Sequence, residues 1–180
     1  MSRADYGWWV TQARQRLGYH STPEYYQELC CGKESRRALV IADDSGDRQQ
    51  SSIVAGLLTG LAAGGGEFDD ALGYITQTIR HYHDTGTVEL MRSGLGLLAT
   101  VLDQMGHHES AATINGFAAS ALARASFPEI TAAVTHLKEV LGDERYRSLS
   151  MAGAAMSTTE ITDYAFATIA RVRSELAAKA

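Results

Sequence analysis

The stretch Val88-Glu-Leu-Met-Arg-Ser-Gly-Leu-Gly-Leu-Leu-Ala-Thr-Val-Leu-Asp-Gln-Met105 decides the fold class. Its large apolar side chains recur at intervals of three and four residues, at positions 88, 91, 95, 98, 102 and 105. Because each residue of an α-helix advances by about 100°, this spacing places them on one face for about five turns. The stretch therefore predicts a long helix that buries Leu95, Leu98 and Leu102.

The same spacing recurs in three other segments, Phe68 to Tyr82, Ile130 to Leu141 and Ile161 to Leu176. No comparable segment alternates apolar and polar residues as a half-buried strand does. We interpret the short β-branched run Leu39-Val40-Ile41 as helical as well. The sequence predicts an all-α protein with helices at about 4–18, 23–44, 48–63, 67–84, 87–105, 107–123, 127–141, 143–152 and 158–178.

Short sequence motifs predict where several of the helices begin and end. Ser126-Phe-Pro-Glu129 and Ser157-Thr-Thr-Glu160 have the form of a capping box, in which each side chain satisfies a free amide at the start of a helix. Pro128 falls in the first turn of its helix, where a missing N–H costs nothing. Glycines that follow the periodic segments predict left-handed helix ends; they are Gly46, Gly86, Gly106 and Gly142, and the triplet Gly64-Gly65-Gly66 is the strongest breaker.

An internal repeat of forty residues predicts how the helices are arranged. The matched pairs are Asp44-Ser45-Gly46 with Asp84-Thr85-Gly86, Gly56-Leu57-Leu58 with Gly96-Leu97-Leu98, Gly66 with Gly106, and Ala71 with Ala111. Each unit contains two helices and two glycine turns, which is typical of α-solenoid proteins. We expect helical hairpins that stack on one another, with the small matched residues allowing close approach.

Composition limits the function classes. With 180 residues, 45% of them hydrophobic, the chain suits one compact domain. Its net charge of −5 opposes binding to a phosphate backbone, so nucleic acid is not an expected partner. No apolar run approaches a membrane span, and the N-terminus has no apolar signal segment. Cys30 and Cys31 are adjacent and form no disulfide framework. We expect a soluble, cytoplasmic protein that does not bind a membrane.

Four of the six histidines lie near two glycine turns, as His81-Tyr-His83 and His107-His108. A metal site would need three or four convergent ligands, with Asp84 or Glu109 as candidate carboxylates. His81 and His83 point about 200° apart on a helix and cannot both bind one ion, and His107 and His108 have the same difficulty. We interpret all four as solvent-facing side chains at helix ends, where they complement the helix dipole, and predict no metal ligand.

Motifs for catalysis are missing from the sequence. Gly64-Gly65-Gly66 lacks the Lys-Ser/Thr and the preceding strand of a phosphate loop, and Glu67, Asp69 and Asp70 would repel a triphosphate. The sequence contains no G-x-S-x-G or H-E-x-x-H motif. We therefore predict that the chain is not an enzyme, has no catalytic or cofactor-binding residue, and does not bind ATP.

Several motifs carry a resemblance to a known family. They are Arg37-Ala-Leu-Val-Ile-Ala-Asp-Asp-Ser-Gly46, Asp70-Ala-Leu-Gly-Tyr-Ile75, Ile79-Arg-His-Tyr-His-Asp-Thr-Gly86, Met105-Gly-His-His-Glu-Ser-Ala-Ala-Thr-Ile-Asn-Gly-Phe-Ala-Ala119, Phe127-Pro-Glu-Ile130, Leu141-Gly-Asp-Glu-Arg-Tyr146, Gly153-x-x-Met-Ser157 and Tyr164-Ala165. Together they resemble the C-terminal helical region of actinobacterial, especially mycobacterial, signalling regulators. Such regulators join an adenylate/guanylate cyclase-like domain or a LuxR-type helix-turn-helix to a STAND-type ATPase module and tetratricopeptide-like repeats.

The resemblance implies architecture and role, but no catalytic residue. It covers Arg37 to Leu176, which divides the chain into an N-terminal helical segment, 1–34, and a helical-repeat domain, 35–180. The implied fold is a tetratricopeptide-like α-solenoid. We interpret the C-terminal helix as its polar cap, because it is rich in Arg171, Arg173, Glu175 and Lys179. The implied role is that of a sensing or protein-interaction arm.

Two function hypotheses follow. The first is a non-catalytic interaction module that binds a protein partner or a second copy of itself. The second is a small-molecule- or metal-binding helical domain with histidines near the mouth of an apolar cavity. Under the first hypothesis, Tyr6-Gly-Trp-Trp-Val10 either covers the N-terminal end of a second copy or folds back onto its own first repeat.

Overall fold

The computed structural model describes residues 32–121, 123 and 127–178. Within these ranges the chain forms eight α-helices and no strand, which confirms the predicted all-α class for this part of the protein. The predicted helix 4–18 and the start of the predicted helix 23–44 lie outside the described residues. The helices are α1 (Gly32–Asp44), α2 (Arg48–Gly64), α3 (Phe68–Asp84), α4 (Val88–Gln104), α5 (His108–Ala118), α6 (Pro128–Leu141), α7 (Asp143–Ala154) and α8 (Thr158–Ala177).

Left-handed glycines connect the first five helices at a constant interval. Gly46, Gly66, Gly86 and Gly106 lie twenty residues apart and have φ values of 73°, 79°, 68° and 83°. At three of these turns the glycine N–H and the next N–H bond back to carbonyls of the last helical turn, in the Schellman pattern. A side chain at φ near +75° would be strained, so glycine allows each helix to end and reverse within three residues. The predicted left-handed glycine positions are confirmed, Gly142 included.

α4 is the central helix of the described fold. It packs against α2, α3, α5 and α6, and Leu95, Leu98 and Leu102 are completely buried, as the sequence predicts. The core continues through Leu72, Ile75 and Ile79 on α3 and through Ile161, Ala165 and Val172 on α8. Apolar area removed from water in this layer is the main favourable contribution to folding.

α8 packs back onto helices that are distant in sequence. It contacts α3 and α5, and the Arg173 guanidinium donates two hydrogen bonds to the Asp69 carboxylate at 2.7 and 2.8 Å. Arg171 forms an ion pair with Glu175 on the exposed side of the same helix. α8 therefore buries one apolar stripe and presents charged side chains to solvent.

Two glycines allow α5 and α7 to cross at an unusually short distance. A Cβ atom added to Gly116 would lie 1.9 Å from the carbonyl oxygen of Ser150, and one added to Gly153 would lie 1.8 Å from that of Thr113. Only glycine fits at these two positions, because the atoms that a Cβ would meet are backbone carbonyl oxygens, which cannot turn away as a side chain can. The short distance between α5 and α7 thus depends on both glycines.

Two predicted boundaries need correction. The predicted helix 107–123 ends at Ala118, because Ala119 leaves the helical conformation (φ −60°, ψ 95°). The Ser120 hydroxyl then accepts a hydrogen bond from the Ala123 N–H, the pattern of a new N-cap. The N-cap of α6 is Phe127 and lacks a side-chain hydrogen bond, and Pro128 stands in the first turn as predicted. Ser126, the first residue of the predicted capping box there, lies outside the described residues.

The second predicted capping box is confirmed at the start of α8. The Ser157 hydroxyl accepts a hydrogen bond from the Glu160 N–H, and the Glu160 carboxylate accepts one from the Ser157 N–H at 2.7 Å. These bonds hold the pKa of the Glu160 carboxyl below its usual value. The stability that Glu160 contributes is therefore present above its unfolded-state pKa and is lost as pH falls through the lower folded-state pKa.

We expect Ser157→Ala to lower the free energy of unfolding by about 1 kcal/mol, since it leaves an amide at the helix start without its acceptor. Ser174→Ala is the matched control on the same helix, because the Ser174 hydroxyl only bonds back to the Ala170 carbonyl. Urea denaturation at pH 7 measures both. Equal stability of the two variants would contradict the assigned cap.

No helix within the described ranges is both long and apolar enough to cross a membrane.

Candidate functional site

The turn between α4 and α5 brings an aspartate and a histidine together. Asp103 lies in the last turn of α4, and its carbonyl accepts a hydrogen bond from the Gly106 N–H. The chain then reverses, His107 becomes the N-cap of α5, and His108 is the first helical residue. This reversal places the His108 Nδ1 atom 2.9 Å from the Asp103 Oδ1 atom. The close pair is thus a local consequence of the glycine turn.

A third side chain reaches the same carboxylate from α6. The His136 Nδ1 atom lies 3.0 Å from Asp103 Oδ1 and 2.9 Å from Oδ2. The His108 and His136 rings meet edge to face, with 5.6 Å between their centroids. Three ligand-type side chains from three helices therefore converge within 4.8 Å of one another. We call Asp103, His108 and His136 the Asp–His cluster.

The Asp–His cluster combines a buried carboxylate with accessible imidazoles. The Asp103 side chain is only 7% exposed, whereas His108 is 26% and His136 is 52% exposed. An unpaired carboxylate at this burial would be costly, so the two imidazole nitrogens compensate it. An imidazole nitrogen either donates an N–H bond or offers a lone pair, according to its tautomer. The cluster can therefore act as a hydrogen-bonded triad or as a set of metal ligands.

The repeated turns show that the fold does not require this pair. The positions that correspond to Asp103 and His108 at the other three glycine turns are occupied by Asp43 and Arg48, Ala63 and Phe68, and His83 and Val88. All four turns reverse the chain at a left-handed glycine, yet only the fourth carries an acid at the first of these positions and an imidazole at the second. A shared requirement of the turn does not explain the Asp–His cluster.

Comparison with protein-family models, curated proteins and solved structures gives no match.

The sequence interpretation of the histidines is partly right. His81 and His83 lie in the last turn of α3, as predicted, and the His83 Nδ1 atom is 3.3 Å from Asp84 Oδ1. His107 and His108 do point to different partners, since the His107 Nε2 atom lies 3.6 Å from Glu175 Oε2. However, both stand at the start of α5, where the helix dipole disfavours a cation, so the proposed dipole role was wrong for them.

The sequence interpretation also missed two members of the Asp–His cluster. It considered Asp84 and Glu109 as carboxylates, but Asp84 pairs with His83, and Glu109 pairs with Arg145 at 2.8 Å. Asp103 could have been found from the spacing Asp-x-x-Gly-x-His across a Schellman turn, where side chains five residues apart meet. His136 carries no such signal, because its approach depends on the packing of α6 against α4.

The glycine triplet forms a helix–helix turn, as predicted. Gly64 ends α2, and the three carboxylates that follow are paired with arginines from other helices. Glu67 and Asp70 bind Arg36 of α1, while Asp69 binds Arg173 of α8. These acidic residues therefore connect the turn by ion pairs to α1 and α8, the first and last helices of the described fold.

A shallow pocket of about 270 Å³ lies between α3, α4 and α8, lined by Phe68, Gln104, Met105, His107, Val172, Glu175 and Leu176. Typical small-molecule sites have volumes of about 300–1,000 Å³ and enclose most of their ligand. This pocket is smaller and open, so it gives little support to a small-molecule site.

Four large apolar side chains are exposed on α1 and α2. Val40 and Ile41 on α1 are 57% and 60% exposed, and Ile53 and Leu57 on α2 are 43% and 55% exposed. The Asp43 carboxylate of α1 accepts a hydrogen bond from the Ser51 hydroxyl of α2, and an antiparallel pair in register at this contact would bring position 41 level with position 53. We call Val40, Ile41, Ile53 and Leu57 the α1–α2 face.

Proposed function

We propose that this chain is a non-catalytic helical-repeat module that works by protein–protein contact, and that its first partner is a second copy of itself. The α1–α2 face is the observation that carries the proposal. It holds four of the seven large apolar side chains that are exposed within the described residues. Apolar patches of this kind on a small protein commonly mark an interaction surface.

The residues around the face favour a second copy. Arg37 and Asp44 are both exposed on α1 and flank Val40 and Ile41 on either side. If α1 packs antiparallel on its copy about a two-fold axis between Val40 and Ile41, Arg37 of one protomer meets the partner's Asp44. Two-fold interfaces require such a self-complementary patch. The charges would thus fix the register while the apolar side chains supply the contact area.

The repeat architecture supports the same proposal. The twenty-residue interval of the glycine turns and the forty-residue repeat of two helices are typical of α-solenoids, in which the outermost hairpin needs a cover. In a longer regulator of the STAND-type ATPase class, a preceding repeat would provide that cover. We propose that the chain serves as a sensing or interaction arm of such a signalling or transcriptional regulator. Trp8 and Trp9, the predicted alternative contact, lie outside the described residues.

The proposal is tested by light scattering on the full chain with paired charge variants. We expect a dimer for the natural sequence, a monomer for Ile41→Arg and for Arg37→Asp, and recovery of the dimer in the double variant Arg37→Asp with Asp44→Arg. Met151→Arg is the matched control, because Met151 is equally exposed on α7, away from the face. Circular dichroism checks that each variant keeps its helical content.

Two outcomes would refute self-association through this face. A natural chain that remains monomeric at about 100 µM, a concentration at which a dimer with a micromolar Kd is mostly formed, would show that a second copy does not cover the surface. A dimer that survives Ile41→Arg would place the interface elsewhere.

The alternative of a small-molecule- or metal-binding domain has one specific observation in its favour, the Asp–His cluster. The α1–α2 face lies on other helices, so the two functions do not exclude each other.

A further inference from the structure

We propose that Asp103, His108 and His136 bind a divalent transition-metal ion, with Zn²⁺ as the best-suited ion. This inference goes beyond the proposed interaction function and does not depend on it. It rests on the convergence of two imidazole nitrogens on one buried carboxylate, in a chain whose other repeat turns lack the combination.

The chemistry of the side chains selects the class of ion. Imidazole nitrogens suit Zn²⁺ and its first-row neighbours, whereas Mg²⁺ and Ca²⁺ prefer sets composed of oxygen ligands. Two histidines with one carboxylate form the protein ligand set of many zinc sites in which one position stays open. The Asp–His cluster therefore favours Zn²⁺ over the hard cations.

The distances fit such an ion after a small movement. With bonds of about 2.0–2.1 Å and tetrahedral angles, ligand atoms around Zn²⁺ lie about 3.3 Å apart. The three nitrogen–oxygen distances in the cluster are 2.9, 2.9 and 3.0 Å. Both histidine–aspartate pairs must open by only a few tenths of an ångström, the two imidazole nitrogens lie within 4.8 Å of each other, and the exposed His136 side chain has room to adjust.

The position of the cluster would let an ion enter from solvent and would let the bound ion stabilise the fold. His136 is about half exposed, so solvent reaches the side of the cluster opposite the buried Asp103. Three protein ligands leave one tetrahedral position for a water molecule or an external ligand. Because the ligands come from α4, α5 and α6, a bound ion would also fasten these three helices together and raise stability by linkage.

A hydrogen-bonded triad without a metal ion is the competing explanation, and it makes a different prediction. In that case both imidazoles donate Nδ1–H to Asp103, and added Zn²⁺ neither binds stoichiometrically nor changes the melting temperature. The experiment must therefore detect the ion directly and by its effect on stability.

The test uses the full chain without an affinity tag, stripped with EDTA, exchanged into metal-free buffer and titrated with Zn²⁺ in a calorimeter. We expect one ion per chain and a melting temperature raised by about 5–10 °C when free Zn²⁺ reaches 100 times Kd. Mg²⁺ should give neither effect. His136→Gln should weaken Zn²⁺ binding by about tenfold or more, and its exposed position keeps the fold intact.

His83→Gln is the matched control, since it removes a partly exposed histidine that also lies beside an aspartate. It should bind Zn²⁺ as the natural chain does. Absence of stoichiometric Zn²⁺ binding, or an equal affinity in His136→Gln and His83→Gln, would overturn the proposal. Light scattering of the EDTA-treated chain reports on self-association separately, so failure of one proposal is distinguishable from failure of the other.

Discussion

Gly153→Ala is expected to lower the free energy of unfolding by about 3 kcal/mol or more, at the upper end of the cost of adding a methyl group to a packed interior. The added Cβ would lie 1.8 Å from the Thr113 carbonyl oxygen, far inside van der Waals contact. Because that oxygen belongs to the backbone of α5, no rotamer change relieves the overlap. The two helices would have to separate, which would loosen the packing on both sides of the contact.

Gly73→Ala is the control for this prediction. Gly73 lies inside α3, and a Cβ at that position meets nothing within 4 Å. Alanine is the better helix former, so this variant should gain about 0.5–1 kcal/mol. Gly116→Ala should behave like Gly153→Ala, because its Cβ would lie 1.9 Å from the Ser150 carbonyl oxygen. Chemical denaturation of the three variants measures the differences, and a Gly153→Ala protein as stable as Gly73→Ala would contradict the close crossing.

These two glycines illustrate what the sequence does and does not predict about the fold. Gly86 and Gly106 are recognisable as helix ends because periodic apolar residues stop just before them, so the relevant signal is local. Gly116 and Gly153 instead stand inside helices, where a glycine normally weakens the element. Each of them allows a close contact with a backbone carbonyl 34 or 40 residues away in the sequence, and the local sequence contains no sign of that contact.

The end of α5 is a second feature of the fold that the local sequence does not predict. The segment around Ser120 is rich in alanine, the strongest helix former, which is why a continuous helix to about residue 123 was predicted. A serine hydroxyl competes for backbone amides, and Ser120 uses this ability to accept a bond from Ala123. Helix propensity predicts a helix over most of the segment but does not predict the break at Ala119.

The members of the Asp–His cluster also differ in whether the local sequence predicts their position. The Asp103–His108 pair follows from the glycine turn and could be recognised in a sequence by its spacing across that turn. His136 joins only because α6 packs on α4, where a Cβ at Gly96 would come within 2.5 Å of the Ile130 side chain. The position of His136 is thus a tertiary consequence of the packing of α6 against α4.

Leu98→Ala is expected to lower the free energy of unfolding by about 2–5 kcal/mol, the range for truncating a leucine in a close-packed core. Leu98 is completely buried on α4, the helix that contacts α2, α3, α5 and α6, so few neighbours are free to move into the space that is left. Met151→Ala is the control: Met151 is 67% exposed, and its replacement by another good helix former should change stability by less than about 0.5 kcal/mol. Urea denaturation at equal protein concentration compares the two. If Leu98→Ala unfolds at the same urea concentration as Met151→Ala, α4 is not the centre of the core.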